Sequence, residues 1–253
     1  MNTTYFATEL RRKLRDVVSM FFVALLPAFF FLIFGASQDF GDESIGNGNV
    51  TLYVMISMAA YGAVTATVGV GGGAAVERLQ GWGRQLGLTP MTDAGFVLVK
   101  ASVAVVVAAV PITLVYVLGA LTGARGNAVA WVLSAVVVLL GAALFALWGL
   151  CFGLAFRSES AIGAASGTIV VLGFLGNIFF PLSGTLLAIA KFTPLYGYVS
   201  LARYPLTEKH LASADGAPAI QEALWVPALN VVVWTALLAG LAVLLVRKGR
   251  RRQ

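Results

Sequence analysis

Few side chains in this sequence are equipped for chemistry, and their spacing limits what they can do. The chain has one histidine, His210, and one cysteine, Cys151, in 253 residues. An internal disulfide, a cysteine metal cluster and a paired-histidine haem or zinc site therefore lack the residues to form. Ser166-Gly167 and Ser183-Gly184 lie in apolar runs, where an intramembrane serine nucleophile would stand. Such a nucleophile needs a histidine base beside it, and His210 falls in a polar stretch. Gly69, Gly71, Gly72 and Gly73 imitate a phosphate-binding loop, yet no strand pattern precedes them and no Gly-Lys-Ser/Thr follows. The reading is a chain with no catalytic set, no metal ligands and no cofactor of its own.

The remaining chemistry is that of contact. Between two long apolar runs lies a polar interval, 76–93, carrying Glu77, Arg78 and Arg84 for charge-assisted hydrogen bonds and Trp82, Leu86 and Leu88 as apolar knobs. Those are the two contact types with which a short helix seats in a partner's groove, so 76–93 is the candidate coupling loop; a plain polar connector is the alternative. Gly81, Gly83 and Gly87 punctuate it, and Thr89-Pro90 closes it. Lys100 follows, about two turns into the next apolar run. A charge at mid-bilayer costs roughly 2.5–3.5 kcal/mol, whereas near a helix end the stem can reach the headgroups. Lys100 is therefore read as an interfacial anchor. Asn177 and Asn230 are the most polar side chains inside the last two runs, and either bridge helices or line a substrate path.

These residues must be positioned by elements built for lipid. The chain is 59% hydrophobic and 11% charged, outside the range of soluble domains. A spanning helix needs about 20 apolar residues, and six runs qualify: 17–34, 50–75, 94–121, 128–152, 161–180 and 224–246. The fold class is all-α integral membrane, one transmembrane domain over 1–253. Residues 2–16 form an amphipathic interfacial helix, with Phe6, Leu10, Leu14 and Val17 on one face; a secretory leader is the alternative there. Gly163 and Gly167 have the spacing of a close helix crossing, and Pro27 and Pro111 mark kinks. The stretch 181–204 is apolar but broken by Pro181, Gly184, Pro194 and Gly197, so it is read as a re-entrant or external helical hairpin.

Lysine and arginine set the orientation. Arg11, Arg12, Lys13, Arg15, Arg78, Arg84, Arg157 and the Arg247–Arg252 tail fall on one side, against Arg125, Lys191, Arg203 and Lys209 on the other. Both termini are assigned to the cytoplasm. The net charge of +6 belongs to these membrane edges, where anionic lipid attracts it, and implies no nucleic-acid partner.

The order Glu77-Arg78, Gly81, Arg84, Leu86, Thr89-Pro90 and Lys100 resembles the first cytoplasmic loop of type 2 ATP-binding-cassette (ABC) exporter permeases. Phe180-Pro181, Thr193-Pro194-Leu195 and Arg203 resemble the external hairpin of the same family; a second proline common there is absent, with Thr185-Leu186 near its position. The resemblance implies the permease subunit of an ATP-driven exporter in a bacterial plasma membrane, moving a drug, antibiotic or lipid. It implies a second permease chain, and two separate ATPase subunits that bind ATP and Mg. A permease for a lipid-linked polysaccharide is the alternative. A secondary transporter stands behind both, because no carboxylate lies well inside any run.

Overall fold

The computed structural model describes residues 3–77, 92–156, 160–210 and 221–250. Its helices are α1 (Thr3–Leu14), α2 (Val17–Phe31), α3 (Val50–Glu77), α4 (Asp93–Leu121), α5 (Ala128–Phe156), α6 (Ser160–Leu175), α7 (Gly184–Ala190), α8 (Pro194–Thr207) and α9 (Trp225–Arg250). A short antiparallel pair, β1 (Ser44–Ile45) and β2 (Gly48–Asn49), lies between α2 and α3. Among the described residues five helices are long and apolar enough to cross a membrane: α2 with the wide turn that carries it to Ala36, then α3, α4, α5 and α9. The chain is all-α and built of membrane-length helices.

The fifth run departs from expectation. Over 161–180 the sequence predicts a sixth crossing, but α6 stops at Leu175 after 16 residues. At about 1.5 Å per residue such a helix falls short of a hydrocarbon core about 30 Å thick. The reason is local. Asn177 adopts φ +59°, its N–H reaches Phe174 O at 3.4 Å, and Ile178 N–H reaches Gly173 O at 3.2 Å. This is the paired helix ending that a left-handed residue makes just past the last turn, and asparagine is one of the few side chains that tolerates it. The interval 181–204 then holds α7 and the start of α8. Thr193 caps α8, its hydroxyl accepting from Tyr196 N at 3.3 Å, and Pro194 occupies the first turn, where a missing N–H costs nothing.

α3 is the central post. In its most apolar stretch 83% of residues are buried, against 17% in α2 and in α9. It packs chiefly on α5 and α4, and small residues set the approach. A Cβ added at Gly71 would lie 2.1 Å from Ala146 O, and one at Gly149 2.3 Å from Val68 O. Pro27 and Pro111 both close on Gly62, whose added Cβ would meet them at 2.8 and 3.1 Å. By contrast, nothing lies within 4 Å of a Cβ added at Gly163 or Gly167. Their expected close crossing is not made among the described residues. The outer faces of α2 and α9 expose rows of large apolar side chains, including Phe21, Phe22, Leu237 and Leu244, the surface a bilayer covers.

Contacts sort the helix ends into two groups. Glu9, Glu77 and Lys100 meet, Ile162 touches Gly72, and Arg247 lies 4.0 Å from Asp93. The first and last described helices thus end together, at what is termed here the inner end. The β pair, residues 123–127 and the end of α8 gather at the outer end.

Candidate functional site

At the inner end, α1 lies against α4 through Tyr5, Phe6 and Leu10, which pack beside Val99, Val103 and Val107. That placement turns Glu9 and Arg12, one helical turn apart, toward the bundle. Lys100 does not reach the surface as expected. Its side chain is 1% exposed, with Nζ 2.8 Å from Glu9 Oε1 and 2.5 Å from Glu77 Oε2. Arg12 closes the ring, 2.5 Å from Glu9 Oε1 and in contact with Glu77 Oε1. The rings of Tyr5 and Phe96 stand 5.7 and 5.8 Å from the ammonium. Lys100 is therefore the hub of a buried ion cluster and not a residue snorkelling to the headgroups. Two carboxylates and two cations sum to zero, which is what permits burial: an isolated ion there would carry a desolvation cost of several kcal/mol.

Glu9 shows the balance. Burial pushes its carboxyl up, but the charges and hydrogen bonds of Lys100, and then of Arg12, outweigh burial and hold it below its ordinary value of 4.5. Lys13, on the next turn, is pulled below the usual amine range by burial first and by the neighbouring cations second. Its Nζ abuts Gly73, where an added Cβ would come within 2.9 Å.

The cluster changes the reading of the coupling loop. Arg78, Gly81, Trp82, Arg84, Leu86, Thr89 and Pro90 lie outside the described residues. Glu77 is described, and its carboxylate is engaged inside the chain by Arg12 and Lys100, not presented outward. On the far side of 78–91 Thr92 caps α4, accepting from Gly95 N at 3.0 Å. Both flanks of 78–91 are thus anchored within two or three turns of one cluster, which also holds α1.

The predicted outer residues separate into three kinds. Phe180 is exposed and stacks on Phe174, with Pro181 exposed beside it. Arg203 is buried. It donates from Nε to Ser57 Oγ at 3.0 Å and from Nη1 to Asn177 O at 2.7 Å, and its guanidinium lies 4.0 Å from the centre of the Tyr53 ring. It ties α8 to α3 and to the helix ending after α6. Asn177 is spent on that same ending, its Oδ1 accepting from Leu182 N at 2.9 Å. Asn230 donates from Nδ2 to Lys191 O at 2.9 Å, and its Oδ1 packs against Gly197. Each amide serves a helix junction.

Sequence reading passed over Glu9 and Arg12, the α1 half of the cluster, and Glu222. Glu222 is buried, 3.2 Å from Lys191 Nζ, and accepts from Tyr196 OH at 3.0 Å. A signal existed for Glu9, a lone acid in a basic helix one position round from its apolar face. Glu222 follows a polar stretch and gave none. Cys151 is buried with Sγ 3.5 Å from Leu238 O, in keeping with a packing role. Among the described residues no three His, Cys, Asp or Glu side chains gather where a metal would be held. Comparison with protein-family models finds no match, and comparison with curated proteins finds none either.

Proposed function

We propose that this chain is the transmembrane subunit of an ATP-driven exporter of the type 2 ABC class, exporting a hydrophobic or amphipathic small molecule. The observation that supports this reading best is the ion cluster. Glu77 is the last described residue before 78–91, Lys100 lies near the start of the helix after it, and both fasten to α1. A push on the loop would therefore reach α1 and two membrane-length helices at once. In this proposal two ATPase subunits, binding ATP and Mg, press on 78–91 from the cytoplasm. Their closure favours one arrangement of two paired permease chains over another, as any population shift requires differential binding to the two states. Six crossings, the fifth made by α6 together with the residues that follow it and not by α6 alone, cytoplasmic termini and a re-entrant hairpin over 181–204 belong to the same proposal.

The experiment is to isolate the chain with its native partners. Recovery of a subunit with a phosphate-binding Gly-Lys-Ser/Thr loop is expected, and repeated recovery without one would sink the assignment. In the assembled complex, Arg84→Ala is expected to lower substrate-stimulated ATP hydrolysis by about tenfold, as loss of one charge-assisted contact of about 1.5 kcal/mol implies, with membrane insertion unchanged.

A further inference from the structure

Among the described residues the two ends of the bundle are held by different kinds of bond. At the inner end the elements are tied through the tips of long side chains, Glu9, Arg12, Glu77 and Lys100. At the outer end three connections are sewn together by main chain. Asn47 N–H donates to Leu206 O at 2.8 Å, Asn127 N–H to Asn47 O at 3.0 Å, and Asn49 N–H to Arg125 O at 3.0 Å. The amide of Asn49 works from both sides: Oδ1 accepts from Arg125 N at 2.9 Å while Nδ2 donates to Gly123 O at 2.8 Å. Asn47 Nδ2 reaches Pro205 O at 3.1 Å and Glu208 Oε1 at 2.7 Å.

No slack is left at this joint. Gly46 turns with φ +50°, and a Cβ there would lie 2.1 Å from Leu206 O; one at Gly48 would lie 2.4 Å from Arg125 O. Asn49, Leu52 and Leu206 beneath it are buried. A long side chain can keep its ion pair while its helix shifts by rotating about several bonds. A main-chain hydrogen bond between two loops has no such freedom, and a shift of an ångström breaks it.

We propose that the outer joint of residues 44–49, 123–127 and 205–208 is a fulcrum: it stays closed while the inner ends of the helices part about it. The device does not depend on what supplies the force at the inner end, so it stands or falls separately from the ABC assignment.

Hydrogen–deuterium exchange on the full-length chain in lipid nanodiscs tests it. Lys100→Met breaks the inner cluster, and Arg12→Gln does so more gently should Lys100→Met fail to fold. Peptides covering 3–14 are expected to exchange about tenfold faster in either variant, while those covering 44–52 and 122–128 stay within about twofold of wild type. Asn49→Ala is the converse, raising exchange at the outer peptides and leaving 3–14 unchanged. Outer peptides that lose protection together with 3–14, or that exchange at the earliest time in the wild type, would overturn the proposal. So would an Asn49→Ala chain with undisturbed outer protection.

Discussion

Lys100 carries its charge where water does not reach, and it does so because three other ionised side chains were brought to it. Such a cluster adds little over a well-packed apolar one, but removing one member strands the rest. Lys100→Met leaves two carboxylates against one half-exposed arginine and is expected to destabilise the chain by about 3–5 kcal/mol. Glu9→Gln, Glu77→Gln and Lys100→Met combined should recover most of that loss. Denaturant unfolding of the purified chain checks this, and a triple variant as unstable as the single one would mean that the charges do not act together. Acid probes the same site. Because Glu9 titrates below its unfolded value, its contribution is complete above the ordinary carboxylate value of 4.5 and drains as pH falls through the depressed one. Fluorescence from a label on exposed Arg15→Cys, in a Cys151→Ser background, should report α1 leaving the bundle only on the acid side of that value. Release already complete at neutral pH would contradict it.

Among elements, α3 shows how small residues set helix spacing. Its Gly-rich end reads in sequence as one cluster, but the glycines are not equivalent. Gly71 faces the backbone of α5 with no room for a methyl group, whereas nothing lies within 4 Å of a Cβ at Gly69. Gly69→Ala should therefore be neutral or stabilising, by up to about 1 kcal/mol from helix propensity. Gly71→Ala must push α3 and α5 apart and should cost about 1–3 kcal/mol, the usual penalty of overpacking. Thermal unfolding of the two variants separates them, and equal effects would deny the close crossing. α6 teaches the reverse lesson. Its apolar run is long enough for a crossing, but Asn177 ends the helix at the point where Arg203 takes hold of its carbonyl.

For the whole molecule, the arrangement is a bundle around one buried helix, latched by charges at one end and by main-chain hydrogen bonds at the other. The proposed partners and the exporter assignment belong to this scale, and the co-purification and Arg84→Ala measurements decide them. At this scale too the sequence was legible in part. The helix starts expected at 50 and 128 follow from the apolar runs, and the one expected at 94 falls one residue inside the observed start at Asp93. Missed were the β pair with its outer joint, which has no apolar signature, and the shortness of α6.

By itself the sequence determined the solvent of this protein and hence its fold class, because about 20 consecutive apolar residues can satisfy their backbone in lipid only as helix. It determined also that a single histidine and a single cysteine are too few for a paired-histidine or cysteine-cluster site. Tertiary structure alone decided what the polar residues are for. Glu9, Arg12, Glu77 and Lys100 span most of a hundred positions, and no local rule joins the α1 pair to Glu77 or Lys100. They become one site because the apolar face of α1 docks on α4 beside the end of α3, and in that dry setting each charge must find its opposite.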